Sequence, residues 1–433
     1  MNDQPKPDDE RVRAPRWTRV IPWPARMPRL PARQWKVLGL LGAAELVDHY
    51  DIGLLGALLL QIQRGLGVAE DEIGTLSAVI RLGVLLAIGA GLLADRYGRR
   101  RLLLGTILGY SLTTLASAFA QSPIQFAVFQ CLGRGFLYAE TAIAIVVVTE
   151  ELSAKDRGFG LGMIGALGAL GSGFAAFGLA AEPHLPFGWR ALYFVGALPL
   201  LGLAWLRRGL PETARFTASR PLADRFWRPL VSLFAAYPGR AATLAAIVFS
   251  AEFATAAAGG FMIKTLQEVH GFAQHQVPIF YFVFGMFALA GNPAAGLWSD
   301  RIGRRPVLAG MLVLMGVAFF GFYNLRGWIV APLWLIQVFA IQGSTVLLRA
   351  LGGELFPTSY RSTASTARML AATLGGSLGL SLESPLYAAL GSHAAAISAL
   401  LPGLAIAAVL VVVFLPEPAA RELEDVSPER GNS

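Results

Sequence analysis

Residues 91–105 read GLLADRYGRRRLLLG, and residues 296–310 read GLWSDRIGRRPVLAG. The second stretch repeats the first, with Gly-Leu, Asp-Arg and Gly-Arg-Arg in register, about 205 residues further on. Two more pairs keep this period. LPETAR at Leu210 returns as LPEPAAR at Leu415, and Glu150 with Arg157 returns as Glu354 with Arg361. Three signatures at one displacement make the chain a tandem of two similar halves.

Outward from these loops the chain is apolar. Its 433 residues are 55% hydrophobic and 15% charged, with mean hydropathy +0.55. Soluble domains hold about 45–50% apolar and about 25% charged residues. Apolar runs of about 20 residues suffice to cross a hydrocarbon core. Twelve fit here, near 36–62, 72–94, 101–121, 124–149, 157–181, 190–208, 241–266, 276–298, 306–324, 328–352, 362–390 and 394–415. The expected fold class is an all-α membrane protein with twelve transmembrane helices in two pseudo-symmetric six-helix halves. Repeated halves around a midplane site are the architecture of many secondary transporters.

The loops sort by charge. Arginine and lysine gather in the N-terminal tail, DRYGRRR, SAKDRG, the segment from Arg207 to Arg240, DRIGRR and Arg361. By the positive-inside rule these are cytoplasmic, which puts both termini inside. The expected organisation is a cytoplasmic tail at 1–35, a six-helix half at 36–209, a cytoplasmic central loop at 210–240, a second half at 241–415 and a cytoplasmic tail at 416–433. The net charge of +8 is mostly this bias and implies no nucleic-acid partner. The single cysteine, Cys131, rules out a disulfide framework, and the chain contains no GxxxxGK[ST] phosphate loop for ATP drive. With no nucleophile–base motif or metal cluster in view, an enzyme is not expected.

One polar run interrupts the first span: ELVDHYD, Glu45 to Asp51. A span of 36–62 centres on His49, so Asp48 lies near the bilayer midplane. A lipid-facing aspartate there costs about 2.5–3.5 kcal/mol, while each leucine returns only about 0.3–0.6 kcal/mol. The run must therefore face a cavity or cations. At about 100° per residue, Glu45, Asp48 and His49 share one broad face, with Asp51 at its edge and Tyr50 within the run. Candidate partners are Arg81 in the second span, Arg134 and Glu140 in the fourth, and Glu252 in the seventh. Glu252 in SAEF is the repeat-mate of Glu45 in AAEL, whereas Thr255 and Ala258 stand opposite Asp48 and Asp51. Proton coupling needs a buried carboxyl that loads and releases H⁺. Asp48 or Asp51 is the expected proton site, with His49 and Arg134 tuning it; a structural pair of Asp48 with Arg81 is the alternative. In the fifth span, Gly158, Gly162, Gly165, Gly168 and Gly171 are expected to let neighbouring backbones approach.

These loops identify a resemblance. GLLADRYGRRR after the second span, with its copy after the eighth, resembles the signature loop of the major facilitator superfamily, over nearly the whole chain. GELFPTSYRSTA, LPETARF and LPEPAAR resemble segments of the branch holding sugar porters and organic-ion transporters. DHYDIGLLG is similar to the D-G-[YF]-D pattern of aromatic-acid:proton symporters, with His49 at the glycine position. VDHYDIGLL with GRGFLYAE is also similar to Spinster-type lipid transporters. The resemblance implies a cytoplasmic latch between halves. Its residues would be Gly91, Asp95, Arg96, Gly98 and Arg99, the copy Gly296, Asp300, Arg301, Gly303 and Arg304, and the helix-end residues Glu150, Arg157, Glu354 and Arg361.

The expectation is then a secondary active transporter of the plasma (bacterial inner) membrane. It would move a small organic solute by alternating access as a monomer in the bilayer, without a resident cofactor, with H⁺ as coupling ion and Na⁺ as the alternative. An exporter of drugs or lysolipids is the rival within transport. A non-transporting sensor of the same fold is the rival outside it.

Overall fold

The computed structural model describes residues 11–12, 15, 28–89, 99–152, 156–207, 228–284 and 291–417. A two-residue ladder pairs β1 (Arg11–Val12) antiparallel with β2 (Leu30–Pro31). The first span is α1 (Ala32–Ala57), continued after Leu58 by α2 (Leu59–Leu66). The second is α3 (Ile73–Leu82) and a 3-10 stretch, Gly83–Gly89. Spans three to six are α4 (Arg99–Ala118), α5 (Pro123–Glu151), α6 (Arg157–Ala181) and α7 (Trp189–Arg207).

After α8 (Arg228–Ala236), the seventh span is α9 (Pro238–Gly260) with α10 (Met262–Glu268). The eighth runs from Val277–Ile279 through a π-helical Phe280–Phe284 and ends in α11 (Gly291–Ile302). Then follow α12 (Arg304–Asn324), α13 (Val330–Glu354) and α14 (Arg361–Leu390). The last span is α15 (His393–Leu400) and α16 (Pro402–Phe414), broken where Pro402 cannot continue the hydrogen-bond ladder. Among the described residues six helices are long and apolar enough to cross a membrane. Helix α1 carries three carboxylates and depends on what they face.

The chain divides into two compact units. One comprises Met1–Leu58, Leu86–Gln121 and Val128–Ala223; the other comprises Leu59–Leu85, Ser122–Ala127 and Asp224–Ser433. Leu59–Leu85 thus belongs to the first repeat in sequence and to the second unit in space. In the first unit α1 starts at Ala32, ahead of the expected residue 36. The reason is burial: Leu30 and Trp35 sit in a core with Leu38, Val148, Met163 and Leu167.

Glycine sets the helix spacing in both units. A Cβ at Gly171 of α6 would lie 2.9 Å from the Leu46 carbonyl carbon of α1. In the second unit a Cβ at Gly379 of α14 would lie 2.8 Å from the Phe253 carbonyl carbon of α9. Leu46 follows Glu45 and Phe253 follows Glu252, so one backbone contact recurs at one register. Not every glycine expected to do this does: a Cβ at Gly165 would meet nothing within 4 Å. Large apolar side chains such as Phe119, Ile124, Trp205, Val317 and Phe414 lie exposed, as lipid contact requires.

Candidate functional site

In the first unit the polar run of α1 is divided between two surroundings. Asp48 and Asp51 are 1% and 2% exposed, too little for water to hold their charge. Asp51 interacts electrostatically with Arg134 of α5 and with Tyr110 and Tyr193 of α4 and α7. Asp48 faces the same Tyr110, which is fully buried. Apolar packing of Ala44, Val47, Ile107, Tyr110, Leu137 and Leu200 holds these helices together around the carboxylates. A buried carboxylate persists only with a cation or hydrogen-bond donors beside it. Arg134, 8% exposed, supplies the cation, and the Tyr110 hydroxyl supplies a donor to Asp51.

His49 and Tyr50 face elsewhere. The His49 ring lies over Gly168 of α6, where a Cβ would come within 2.9 Å of Nδ1. That nitrogen is 3.1 Å from the Glu45 carbonyl and 3.5 Å from its carboxylate. Tyr50 donates from its hydroxyl to the Leu192 carbonyl at 3.3 Å and packs against Gly196 of α7. The expected shared face of Asp48 and His49 is therefore split: Asp48 and Asp51 turn to α4 and α5, with Tyr193 of α7 also near Asp51, while the rings turn to α6 and α7. Glu140 is 1% exposed in α5.

The second unit answers which arginine serves which acid. Arg81 of α3 donates to Glu252 of α9 at 2.6 Å and to the Ala372 carbonyl at 3.2 Å. Its guanidinium lies over Gly376 of α14. Within this unit Arg81 therefore serves Glu252. The aromatic side chains of the eighth, ninth and tenth spans pack together, Trp334 against Phe280, Tyr281 and Phe322.

The second signature loop joins two motifs that look separate in the sequence. Arg304 donates to Glu354 at 3.1 Å, to Asp300 at 2.6 Å and also to Ser299. Glu417, from LPEPAAR, accepts the backbone N–H groups of Arg304 and Arg305 at 2.9 and 3.0 Å. A carboxylate on those free donors caps α12 and meets the positive end of its dipole. Gly303, before the helix, has φ +104°, a backbone conformation that glycine adopts without strain. Arg301 and Arg361 form no ion pair among the described residues. Gly91, Asp95, Arg96 and Gly98 lie outside the described residues; Arg99, Glu150 and Arg157 are placed within α4, α5 and α6.

A second charged cluster went unnoticed in the sequence. Glu383 of α14 is fully buried, with its Oε1 2.6 Å from Nδ1 of His393. His393 Nε2 is 2.8 Å from Glu70. Lys264, 2% exposed, lies 3.1 Å from Glu70 and 2.8 Å from Glu268, and donates to Gln63 at 2.7 Å. The signal was present: Glu383 and Lys264 fall inside the eleventh and seventh spans, where any ionisable residue is a candidate.

With this geometry in place, the comparisons give a consistent result. The family profile described as Major Facilitator Superfamily matches residues 41–289 and 244–430. The chain is 25% identical over 403 residues to the putative niacin/nicotinamide transporter of Bacillus subtilis (strain 168), covering 91% of this chain and 99% of the relative. It is 27% identical over 406 residues to the 3-(3-hydroxy-phenyl)propionate transporter of Escherichia coli (strain K12), covering 89% and 94%. A 4-hydroxybenzoate transporter of Pseudomonas putida matches at 25% identity over 422 residues, covering 88% and 92%. Among solved structures, the inward open xylose transporter of E. coli aligns with TM-score 0.72 at 15% identity, over 91% of this chain and 99% of that one.

Proposed function

The chain belongs to the Major Facilitator Superfamily, and on that premise we propose that this secondary transporter carries a small aromatic carboxylate together with protons into a bacterial cell. It is a multi-pass membrane protein and not an enzyme; every curated relative described above is a transporter. The substrate class draws on those relatives, which are named as transporters of niacin or nicotinamide, 3-(3-hydroxy-phenyl)propionate and 4-hydroxybenzoate. The chemistry of the site agrees with it. Arg134 is the cation a carboxylate would seek, and Tyr50, Tyr110 and Tyr193 offer ring faces and hydroxyls.

The observation that carries the reading is the burial of Asp48 and Asp51, with Arg134 beside Asp51. Two carboxylates and one guanidinium leave a negative excess, which one proton removes. Arrival of a substrate carboxylate at Arg134 displaces the guanidinium from Asp51 and favours protonation of that acid. Proton and solute then bind together, the linkage a symporter needs. Alternating access would carry both across, with the arginine-rich loops and both termini in the cytoplasm, the inner membrane as location, and a monomer as the working unit. The pairs Arg304–Glu354 and Arg304–Asp300 are breakable contacts of the kind a cytoplasmic latch requires.

The test is uptake of radiolabelled 4-hydroxybenzoate and nicotinate by proteoliposomes under imposed pH or Na⁺ gradients. Accumulation driven by an inward proton gradient, and lost in Asp51→Asn, is the expected outcome. Accumulation driven by Na⁺ alone, or by neither gradient, contradicts the proposal.

A further inference from the structure

Lys264, Glu268, Glu70, Gln63, Glu383 and His393 form one network within the second unit, connected through Lys264 and Glu70, with Arg64 at its edge 3.2 Å from Glu268. None of them takes part in the chemistry proposed above. Its charges do not balance without a proton. Glu70, Glu268 and Glu383 are three carboxylates facing two permanent cations, Lys264 and Arg64. Both ring nitrogens of His393 meet carboxylate oxygens, at 2.6 and 2.8 Å. A carboxylate only accepts hydrogen bonds, so a neutral imidazole, with one N–H, can satisfy only one of those contacts. The geometry is complete when a further proton is present, as imidazolium or as the Glu383 carboxylic acid.

The surroundings favour holding that proton and also exchanging it. Tyr387 stacks on the His393 ring at 4.3 Å and Phe261 lies at 4.8 Å, aromatic faces that stabilise a cation. The second oxygen of Glu383, buried and without a hydrogen-bond partner among the described residues, points at Gly74, where a Cβ would come within 2.6 Å. That oxygen is free to carry hydrogen. Glu70 gives the network its opening, with 39% of its side chain exposed. Burial alone would raise the Glu70 carboxyl. Hydrogen bonds from His393, Gln63 and Lys264 overcome that and hold it at about 2. Glu70 therefore stays ionised, and the shared proton resides further in.

We infer that Glu383 and His393 form a proton-binding site, reached from solvent through Glu70, on the side opposite the arginine-rich loops. A proton arriving at Nε2 lets the Nδ1 proton pass to Glu383, which leaves a neutral imidazole that now carries its hydrogen on Nε2, facing Glu70. A second proton leaves His393 charged beside a neutral Glu383. The groups facing the site from each packed element are Glu70 and the adjacent Asp71, Gln63 of α2, Lys264 and Glu268 of α10, and Tyr387 of α14. The second proton adds positive charge beside Lys264, which weakens the links holding Leu59–Leu85 to α10 and α14. Those links include the Thr75 N–H to Ser384 hydroxyl bond at 3.0 Å and the Gln61–Gln267 bond at 2.8 Å. This site is independent of Asp48 and Asp51, and its test needs no solute.

The full chain in lipid nanodiscs is titrated from about pH 8 to about pH 5, a range that spans imidazole ionisation. Proton uptake is read by infrared difference spectroscopy in the carboxylic C=O region. Amide hydrogen exchange, corrected for intrinsic rate, is read by mass spectrometry. A carboxylic band that is lost in Glu383→Gln and moves by about one pH unit in His393→Gln is expected. Exchange across residues 59–85 should rise about tenfold at acid pH in the unchanged chain and stay flat in Glu383→Gln. If Glu383→Gln does not fold, His393→Gln and the half-exposed Glu70→Gln carry the test, each expected to shift the titration midpoint. Spectra and exchange unchanged in every folded variant overturn the proposal.

Discussion

Helices α1 and α9 hold equivalent places in the two repeats, and their packing is alike where their chemistry is not. Each lays the carbonyl after its glutamate against a glycine of a partner helix, Leu46 on Gly171 and Phe253 on Gly379. Beyond that shared register they diverge. Glu45 is 8% exposed beside His49, while Glu252 is ion-paired to Arg81. One and two turns further, α1 carries Asp48 and Asp51, and α9 carries Thr255 and Ala258. Duplication has preserved how close the backbones come. It has not preserved which helix holds the buried acids.

Giving α9 the acid of α1 should produce the largest effect. Ala258 is fully buried, so Ala258→Asp puts a new carboxylate into a closed apolar position. A loss of about 3–5 kcal/mol is expected, the scale of an uncompensated buried charge, seen as a steep fall in the thermal unfolding midpoint of purified protein. An Ala258→Asp chain as stable as the parent would show that the second unit accommodates acids equally well.

The shared register predicts matched costs. Gly171→Ala and Gly379→Ala each drive a methyl into a carbonyl, and each should cost about 1–3 kcal/mol. Marked inequality between the two would break the equivalence. Gly165→Ala, where the space is open, serves as the control and should be near neutral.

The Arg81–Glu252 pair separates α9 from α1 on smaller terms. Arg81→Glu and Glu252→Arg should each destabilise, and the double exchange should recover on the order of 1 kcal/mol. Additive losses in that cycle would mean the pair contributes no coupling.

The smallest effect is a pH slope in the second unit. Glu70 is held at about 2 against an ordinary 4.5. Its contribution is therefore complete above pH 4.5 and is lost as pH falls towards 2. Glu70→Gln should flatten the dependence of the unfolding midpoint on pH in that window. Parallel slopes for both chains would remove Glu70 from the network.

The repeat, the spans and the asymmetry of Asp48 and Asp51 were all legible in the sequence, because period and charge placement are properties of the chain itself. Partner choice was not. Arg81 and Arg134 both sit mid-span, and only packing shows that Arg81 goes to Glu252 while Arg134 goes to Asp51. The side of α1 on which His49 falls depends on Gly168 opposite, about 120 residues away. Glu417 capping α12 was hidden for a similar reason: LPEPAAR and DRIGRR are distant in the chain and adjacent in space. The Glu70–His393–Glu383 network draws on residues over 300 positions apart and repeats no motif.

The central claim is that the carboxylates of α1 carry the coupling proton. It is tested most directly by 4-hydroxybenzoate transport in proteoliposomes bearing the unchanged chain or Asp51→Asn, comparing accumulation under an inward proton gradient with exchange at equal pH. Asp51→Asn should abolish accumulation while retaining exchange, since solute alone can still cross. Gradient-driven accumulation that persists undiminished in Asp51→Asn, and in Asp48→Asn with it, would contradict the account.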